Sequence, residues 1–274
     1  MKTIQSKSLL TLIIIFFIIG FSTSAKNFIG FDGNYQLDSI PGDPVKQSMY
    51  LINNPNRVVY PQILEEHREQ SADYIERYSK KERSYIIHMF RKGEKYFPKA
   101  LDIFDKYNVP YEFQMLPALE SNFTANAVSS AGAVGYWQFM SGLAREYGLH
   151  IGGKNDERKN FSKSTNAAAK FFRDQLEYFN NDILLTVAAY NCGQGRVRSS
   201  IKKSKNTDAD YWAIKKYLPA ETRRFVMNFV ALNVIAANYD KFINRNLDFD
   251  QPHLIQLATI DSTEADNLIS RNSL

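Results

Sequence analysis

The segment from Glu221 to about Phe242 constrains the fold most, because it is apolar on almost every side of a helix. A helix of that kind is stable in water only when other elements enclose it. Pro219 suits its start, since proline is favoured at the beginning of a helix. A chain of 274 residues is long enough to supply one enclosing hydrophobic core. We therefore predict a long, central, buried helix.

Most of the chain from about Pro61 onward carries apolar residues at steps of three and four, which predicts further helices. No segment shows a strong strand pattern, so we expect a mainly α fold. Changes in composition divide the chain into four parts. These are a signal at 1–25, a leader or loop segment at 26–60, a helical domain at 61–243 and a polar C-terminal tail at 244–274.

Proline, glycine and capping residues mark the expected helix ends. The stretch Asn108-Val109-Pro110 is predicted to stop one helix, because a residue before proline avoids the helical region. Pro110 then opens a short helix, in which Pro117 predicts a kink. Further along the chain, the expected N-caps are Ser164 and Asp182, and the expected stops are Gly193 and Gly195.

The first 25 residues have the three-part pattern of an export signal. Lys2 and Lys7 precede an apolar block from Leu9 to Phe21, and small residues follow at 22–25. The block is shorter than the roughly 20 residues that span a bilayer. We expect cleavage near Ala25 and a soluble mature protein, with an uncleaved anchor as the alternative. No cysteine stands at the cleavage site to carry a lipid.

Charge and reactive residues exclude several classes of protein. The formal net charge of +5 is too small to argue for nucleic acid, and no basic stripe is interleaved with aromatic residues. Cys192 is the one cysteine, so no intramolecular disulfide can form, and the four histidines show no metal-ligand spacing. We expect no metal and no cofactor.

One basic cluster is most simply a solvated helix face. The alternative is a surface that attracts a polyanion, such as an acidic envelope polymer. The cluster consists of Arg196, Arg198, Lys202, Lys203 and Lys205.

Glu120 is the candidate acid, because apolar residues at 113–119 and Phe123 flank it in sequence. Desolvation raises a carboxyl pKa and keeps the group protonated near neutral pH, which cleavage of a glycosidic bond requires. The segments Gly135–Met140 and Ala189–Asn191 add glycine, aromatic and amide groups of the kind that line a sugar-binding cleft. The alternative is a glutamate that is merely exposed at a helix end.

Seven blocks of sequence together resemble the lytic transglycosylases of the goose-lysozyme-like kind. They are most similar to the membrane-bound lytic murein transglycosylase D group. The blocks occur in that family's order and spacing, and the resemblance covers roughly residues 50–243. They are Leu116–Phe123, Asn126–Ser129, Ala131–Met140, Tyr147–Leu149, Ser164–Ala168, Ala188–Gly193 and Leu218–Arg223.

The resemblance implies a lysozyme-like helical domain with an active-site groove, and it implies roles for individual residues. Glu120 would be the sole catalytic acid and base, and Ser121 would help to hold the local turn. Tyr190 would hydrogen-bond near the catalytic carboxyl, and Asn191 would bind an N-acetyl group. The remaining positions expected to touch the sugars are Ser129, Gln138, Met140 and Glu221, the last of them lining the muramyl site.

Several of these assignments have a purely structural alternative. Met140 and the neighbouring Trp137 would be core residues, and Ser129 would only form a turn. Tyr190 would serve packing. Glu221 would complement the helix dipole from the first turn of its helix.

The reaction that the resemblance implies is a non-hydrolytic cleavage of peptidoglycan. Glu120 protonates the bond between N-acetylmuramic acid and N-acetylglucosamine, and the muramyl 6-hydroxyl then closes a 1,6-anhydro ring. A hydrolytic muramidase, or a non-catalytic glycan-binding protein of the same fold, is the alternative. A hydrolase needs a second carboxylate, and Asp156, Glu157 and Asp182 are available for that role.

The resemblance also implies partners and a location. We expect peptidoglycan glycan strands as the partner and no nucleic acid. We expect a monomer in the periplasm or cell envelope, with envelope proteins as further partners left open.

Overall fold

The computed structural model describes residues 57–152 and 155–249, which form a helical body. The α-helices are α1 Arg68–Lys81, α2 Arg83–Gly93, α3 Phe97–Tyr107, α4 Leu116–Ser121, α5 Ser141–Glu146, α6 Phe161–Tyr178, α7 Ile183–Cys192, α8 Gln194–Ser204, α9 Tyr211–Ile214, α10 Ala220–Ala237 and α11 Tyr239–Ile243. Short 3-10 helices lie at Gln62–His67, Tyr111–Met115, Glu157–Lys159 and Lys215–Tyr217. Within these described residues β-pairing is limited to isolated bridges. The prediction of a mainly α fold is confirmed.

Helix α10 is the predicted central helix, and it is buried between α1 and α7. It ends at Ala237, however, and does not continue to Phe242. Asn238 leaves the helical conformation, and its buried side-chain amide donates to the carbonyl oxygens of Val59 at 2.6 Å and Val234 at 2.7 Å. The predicted single helix is therefore two helices, α10 and α11. Asn238 stabilises the break between them through its hydrogen bond to Val59, near the start of the described residues.

Helix α6 begins at Phe161, before the cap that the sequence predicts. The side-chain oxygen of Asn160 accepts a hydrogen bond from the Lys163 amide at 3.0 Å, so Asn160 is the N-cap. Ser164 lies inside the helix, where its hydroxyl donates to the Asn160 carbonyl at 2.7 Å. The Ser164 prediction is wrong because asparagine and serine cap equally well, and their ranking does not separate two candidates four residues apart.

The predicted limits of α7 are confirmed in part. Asp182 caps its start, since the carboxylate accepts from the Leu185 amide at 2.8 Å. Gly193, with a φ of 84°, ends it. Gly195 does not end it, because the chain has already re-entered a helix and Gly195 lies in the first turn of α8.

The segment before Glu120 also differs from the prediction in one detail. Asn108 ends α3 in a left-handed conformation with φ 53°, and Pro110 precedes the next helical segment, as expected. Pro117 does not kink a continuous helix. It lies in the first turn of α4, where a proline needs no hydrogen-bond donor, and the chain passes there from a 3-10 helix into α4.

An aromatic cluster fixes the Gly135–Met140 segment against α3 and α6. Trp137 is fully buried, with its ring centroid 6.1 Å from that of Phe104 and 5.7 Å from that of Phe172. Its indole N–H donates to the Thr165 hydroxyl at 3.0 Å. Trp137 is therefore a core residue that anchors the segment.

The packed body includes residues on both sides of the predicted domain limits. Val58 and Tyr60 are buried, and Val58 donates to the carbonyl of Asp248 at 2.9 Å. The predicted signal, most of the leader and most of the tail lie outside the described residues. Among the described helices, none combines the length and apolar character needed to cross a membrane.

Candidate active site

Glu120 stands in the last turn of α4, directly before a sharp change of chain direction. Asn122 and Phe123 both adopt left-handed conformations, with φ values of 48° and 50°. The buried Phe123 ring stacks on Tyr96 at a centroid distance of 5.2 Å and meets Phe97 edge-on at 5.5 Å. This packing holds the strained turn and so fixes the direction of the Glu120 side chain.

Ser121 ties this turn to the loop that follows. Its hydroxyl lies 2.8 Å from the carbonyl of Tyr136, to which it donates, and it accepts from the Thr124 amide at 3.2 Å. The prediction that Ser121 supports the local turn agrees with these contacts. They also join the acid to the Gly135–Met140 segment.

The surroundings of Glu120 favour a protonated carboxyl near neutral pH. Desolvation by the protein, which is the larger cause, and the charge of Glu221 together raise the pKa of Glu120 to about 8. The residue is nevertheless partly exposed. Protein therefore surrounds the Glu120 carboxyl on most sides, while part of the residue still meets solvent.

Tyr190 lies beside this acid, but its hydrogen bond goes elsewhere. Its hydroxyl donates to the backbone carbonyl of Trp137. Burial raises the pKa of Tyr190 well above its ordinary value, and the charge of Glu120 adds to the rise. Phe171 and Phe172 contact the ring, at centroid distances of 5.3 Å and 5.2 Å. Tyr190 therefore packs against the core and also holds the Gly135–Met140 segment through the carbonyl of Trp137.

The Gly135–Met140 segment is held by close contact with Arg158 and by hydrogen bonds of the Gln138 side chain. Gly135 has a φ of 84°, and a Cβ atom there would lie 2.0 Å from the carbonyl oxygen of Arg158. The buried Arg158 guanidinium donates to the Phe139 carbonyl at 3.1 Å and pairs with Asp156 at 2.7 Å. Gln138 takes a left-handed φ of 47°, and its side-chain amide lies 2.9 Å from the Gly135 carbonyl and 3.2 Å from that of Ala127.

Two predicted sugar contacts differ in their surroundings. The Ser129 hydroxyl accepts from the Ala133 amide at 3.0 Å, which is the bond of a turn former. Met140 is 47% exposed, so it is not a core residue, although its neighbour Phe139 is buried. An exposed thioether beside a tightly held loop is available to contact a ligand.

Asn191 and Glu221 are brought together by a residue that the sequence analysis did not single out. The Thr222 hydroxyl donates to the side-chain oxygen of Asn191 at 2.8 Å. This bond joins the end of α7 to the first turn of α10, where Glu221 is exposed. Thr222 lies in the Leu218–Arg223 block, but no spacing rule indicates that its hydroxyl orients an amide on another helix.

The other acids named as second carboxylates have structural partners. Asp156 pairs with Arg158, which holds its pKa low, and Glu157 pairs with Lys163. Asp182 caps α7. The described residues contain no cluster of three or more His, Cys, Asp or Glu suited to a metal ion.

Glu112 is a buried acid that sequence reasoning missed. It is 3% exposed, and desolvation raises its pKa to about 7. Residues 113–118 are all buried and mostly apolar, and that apolar run was the available signal in the sequence. Glu112 is not among the charges that shift the pKa of Glu120.

Comparisons with known proteins identify a matching family and several relatives. The family described as Transglycosylase SLT domain matches residues 103–213. Membrane-bound lytic murein transglycosylase D of Escherichia coli strain K12 is 35% identical over 177 residues, which are 64% of this chain and 38% of the relative. Peptidoglycan transglycosylase gp16 of Escherichia phage T7 is 38% identical over 79 residues, 28% of this chain and 6% of the relative.

A solved structure, the lytic transglycosylase Slt of Pseudomonas aeruginosa, aligns with a TM-score of 0.45 and 22% identity over 58% of this chain and 26% of that one. The chain spans only 38% of the length of the first of the curated relatives. The match at residues 103–213 includes Glu120, the Gly135–Met140 segment and Tyr190. Residues 103–213 thus match the transglycosylase SLT domain family, and the chain is similar to the membrane-bound lytic murein transglycosylase D group, as its motifs predict.

Proposed function

We propose that this protein is a lytic transglycosylase that cleaves the β-1,4 bond between N-acetylmuramic acid and N-acetylglucosamine in peptidoglycan. The observation that carries the proposal is Glu120, a partly exposed acid whose pKa of about 8 keeps it protonated at neutral pH. A general acid is most effective when its pKa lies near the working pH.

The reaction uses one acid twice. Glu120 donates its proton to the glycosidic oxygen as the bond to the muramyl anomeric carbon breaks, which releases the N-acetylglucosamine end. The carboxylate then takes the proton of the muramyl 6-hydroxyl, and that oxygen bonds to the anomeric carbon. The product is a 1,6-anhydro ring, and the acid returns to its protonated form. An intramolecular nucleophile reacts far faster than one from solution once it is oriented.

The other site residues would bind and orient the sugars. The side-chain oxygen of Asn191 accepts from Thr222, which leaves the amide N–H groups to meet the oxygen of an N-acetyl group. Met140 would contact a sugar face, and Glu221 would line the muramyl site. Gln138 and Ser129 act first on the loop itself, through the bonds described above, so we propose that they shape the cleft and present their remaining polar atoms to the substrate.

A hydrolytic muramidase is the second candidate. Glu221 is the carboxylate whose charge reaches Glu120, and a second carboxylate is what a glycosidase uses to activate water or attack the sugar. Glu221 is exposed in the first turn of α10. The lytic route is favoured because it needs no role for that group beyond binding.

The products of digestion separate the two reactions. Purified sacculi are incubated with the protein, and the released muropeptides are weighed by mass spectrometry. We expect anhydro products, each lighter by one water than the hydrolytic product. Reducing muramyl ends in their place would establish the muramidase.

A matched pair of variants tests the acid itself. Glu120→Gln is expected to reduce product release by on the order of 10²–10⁴-fold. Glu112→Gln removes a second buried acid, outside the proposed machinery, and is expected to leave the rate unchanged. Undiminished digestion by Glu120→Gln would show that some other group acts.

We further propose that the protein acts outside the cytoplasm, in the periplasm or cell envelope, as a monomer. The export pattern of residues 1–25 and the relatives' printed names, which refer to murein and peptidoglycan, support this location. Detection of the protein in envelope fractions, with the mature N-terminus sequenced, tests it.

A further inference from the structure

Helix α8 presents a basic face that the proposed reaction does not use. Its buried side is formed by Val197 and Ser200, and these pack it against the body. The opposite side is exposed and carries the cations Arg196, Arg198, Lys202 and Lys203, with Lys205 just after the helix end. The basic face is defined here as these five residues.

The charges of the basic face are not neutralised by neighbours. Residues 183–207 contain no aspartate or glutamate. Among the ion pairs formed by the described part of the chain, none involves a residue of the basic face. Lys163, in contrast, pairs with Glu157 at 2.5 Å. Adjacent unpaired cations repel each other, and an acidic ligand relieves that repulsion.

The basic face begins beside the candidate active site. Asn191 lies in the last turn of α7, and Gly193 alone separates that helix from α8. Burial raises the pKa of the Cys192 thiol, while a hydrogen bond with Thr222 and the charge of Arg196 lower it. Arg196 is therefore within electrostatic reach of the helix end that carries Asn191.

We propose that the basic face binds the acidic peptides carried by the muramyl sugars of the glycan strand. This inference rests on the proposed function, because the peptide branches from the sugar that the cleft would hold. The dimensions agree, since a helix of 11 residues is about 16 Å long and an extended peptide of five residues spans about the same distance. Carboxylates along such a peptide meet successive cations of α8.

The test compares one strand with and without its peptides. Soluble, fluorescently labelled glycan strands are prepared with peptides intact, and a second portion is stripped of peptides by an amidase. Binding is measured by fluorescence anisotropy in the Glu120→Gln background, so that the strands are not cleaved. We expect Glu120→Gln to bind the peptide-bearing strands at least about tenfold more tightly, from three weak charge pairs acting together.

Charge reversal then locates the effect. The variant Arg198→Glu, Lys202→Glu, Lys203→Glu should lose the tenfold preference and bind stripped strands as before. The control reverses three exposed lysines elsewhere, Lys99, Lys106 and Lys159, and should keep the preference. Circular dichroism and binding to stripped strands check that each variant is folded.

Three results would overturn the proposal. Equal affinity for both strands would make the basic face a solvated helix surface. Loss of the preference in the control variant would make it an effect of net charge. Tighter binding of a polyglycerol phosphate than of peptide-bearing strands, lost on reversal of α8, would assign the face to a phosphate polymer. Wild-type formation of anhydro products from stripped strands tests the proposed function separately.

Discussion

The charge of Glu221 raises the pKa of Glu120, so the first turn of α10 acts on the end of α4 through an electrostatic interaction. Desolvation is the larger cause of the raised pKa, and Glu221 adds to it. The two effects differ in their response to solvent. Desolvation belongs to the packed surroundings, whereas the effect of an exposed charge is screened by salt.

Glu221→Gln is therefore expected to move the pH profile of the enzyme. A general acid must be protonated, so kcat/KM of the wild type should fall as the pH rises through about 8. Removal of the Glu221 charge lowers the pKa of Glu120 and moves this fall to lower pH, by less than about one unit because the charge is exposed. Raising the salt concentration should move the wild-type profile in the same direction and the variant's hardly at all. An unmoved profile would remove Glu221 from the electrostatics of the site.

Glu112 makes stability depend on pH. Its pKa is about 7 in the folded protein and about 4.3 in an unfolded chain, so the folded state holds the proton more tightly. Its contribution to stability is present below pH 4.3 and is lost as the pH rises through 7. Glu112→Gln should therefore be more stable than the wild type at pH 8, by up to about 3 kcal/mol, and the difference should shrink at pH 5. Urea unfolding at both pH values measures it, and a difference independent of pH would contradict it.

The sequence predicts the parts of this fold that depend on local chemistry. Asp182 at the start of α7 and Pro219 before α10 follow from capping and from the geometry of proline. The end of α10 could not be predicted from local sequence, because Asn238 breaks the helix through a hydrogen bond to Val59, which is distant in sequence. The prediction that Ser164 caps α6 was wrong because Asn160, four residues earlier, is an equally good N-cap.

The sequence suggests the residues of the candidate site but not the hydrogen bonds that connect them. The apolar neighbours of Glu120 indicated a raised pKa, and the structure gives the same direction. The destination of the Tyr190 hydrogen bond, a backbone carbonyl of Trp137, carries no signature in sequence. The bond from Thr222 to Asn191 joins two helices and is equally invisible there.

Tyr190→Phe is expected to loosen the loop at Gly135–Met140, which Ser121 joins to the turn after Glu120. The substitution removes the hydroxyl and leaves the Trp137 carbonyl without its side-chain donor, which costs about 1–2 kcal/mol of unfolding free energy. If the hydroxyl acts by positioning the loop, kcat should fall while the pH profile remains in place. A moved profile with unchanged stability would show instead that Tyr190 acts on the proton of Glu120 directly.

Gly135 and Gly142 provide a matched test of the loop's close packing. A Cβ atom at Gly135 would lie 2.0 Å from the carbonyl oxygen of Arg158, and its φ of 84° disfavours any other residue, whereas a Cβ at Gly142 meets nothing within 4 Å. Gly135→Ala should lower the unfolding free energy by at least about 2 kcal/mol, since strain and overlap add. Gly142→Ala, within α5, should be neutral or stabilise by up to about 1 kcal/mol. Thermal or urea unfolding compares the two, and equal effects would contradict the tight contact between the Gly135–Met140 segment and Arg158 on which the geometry of the site depends.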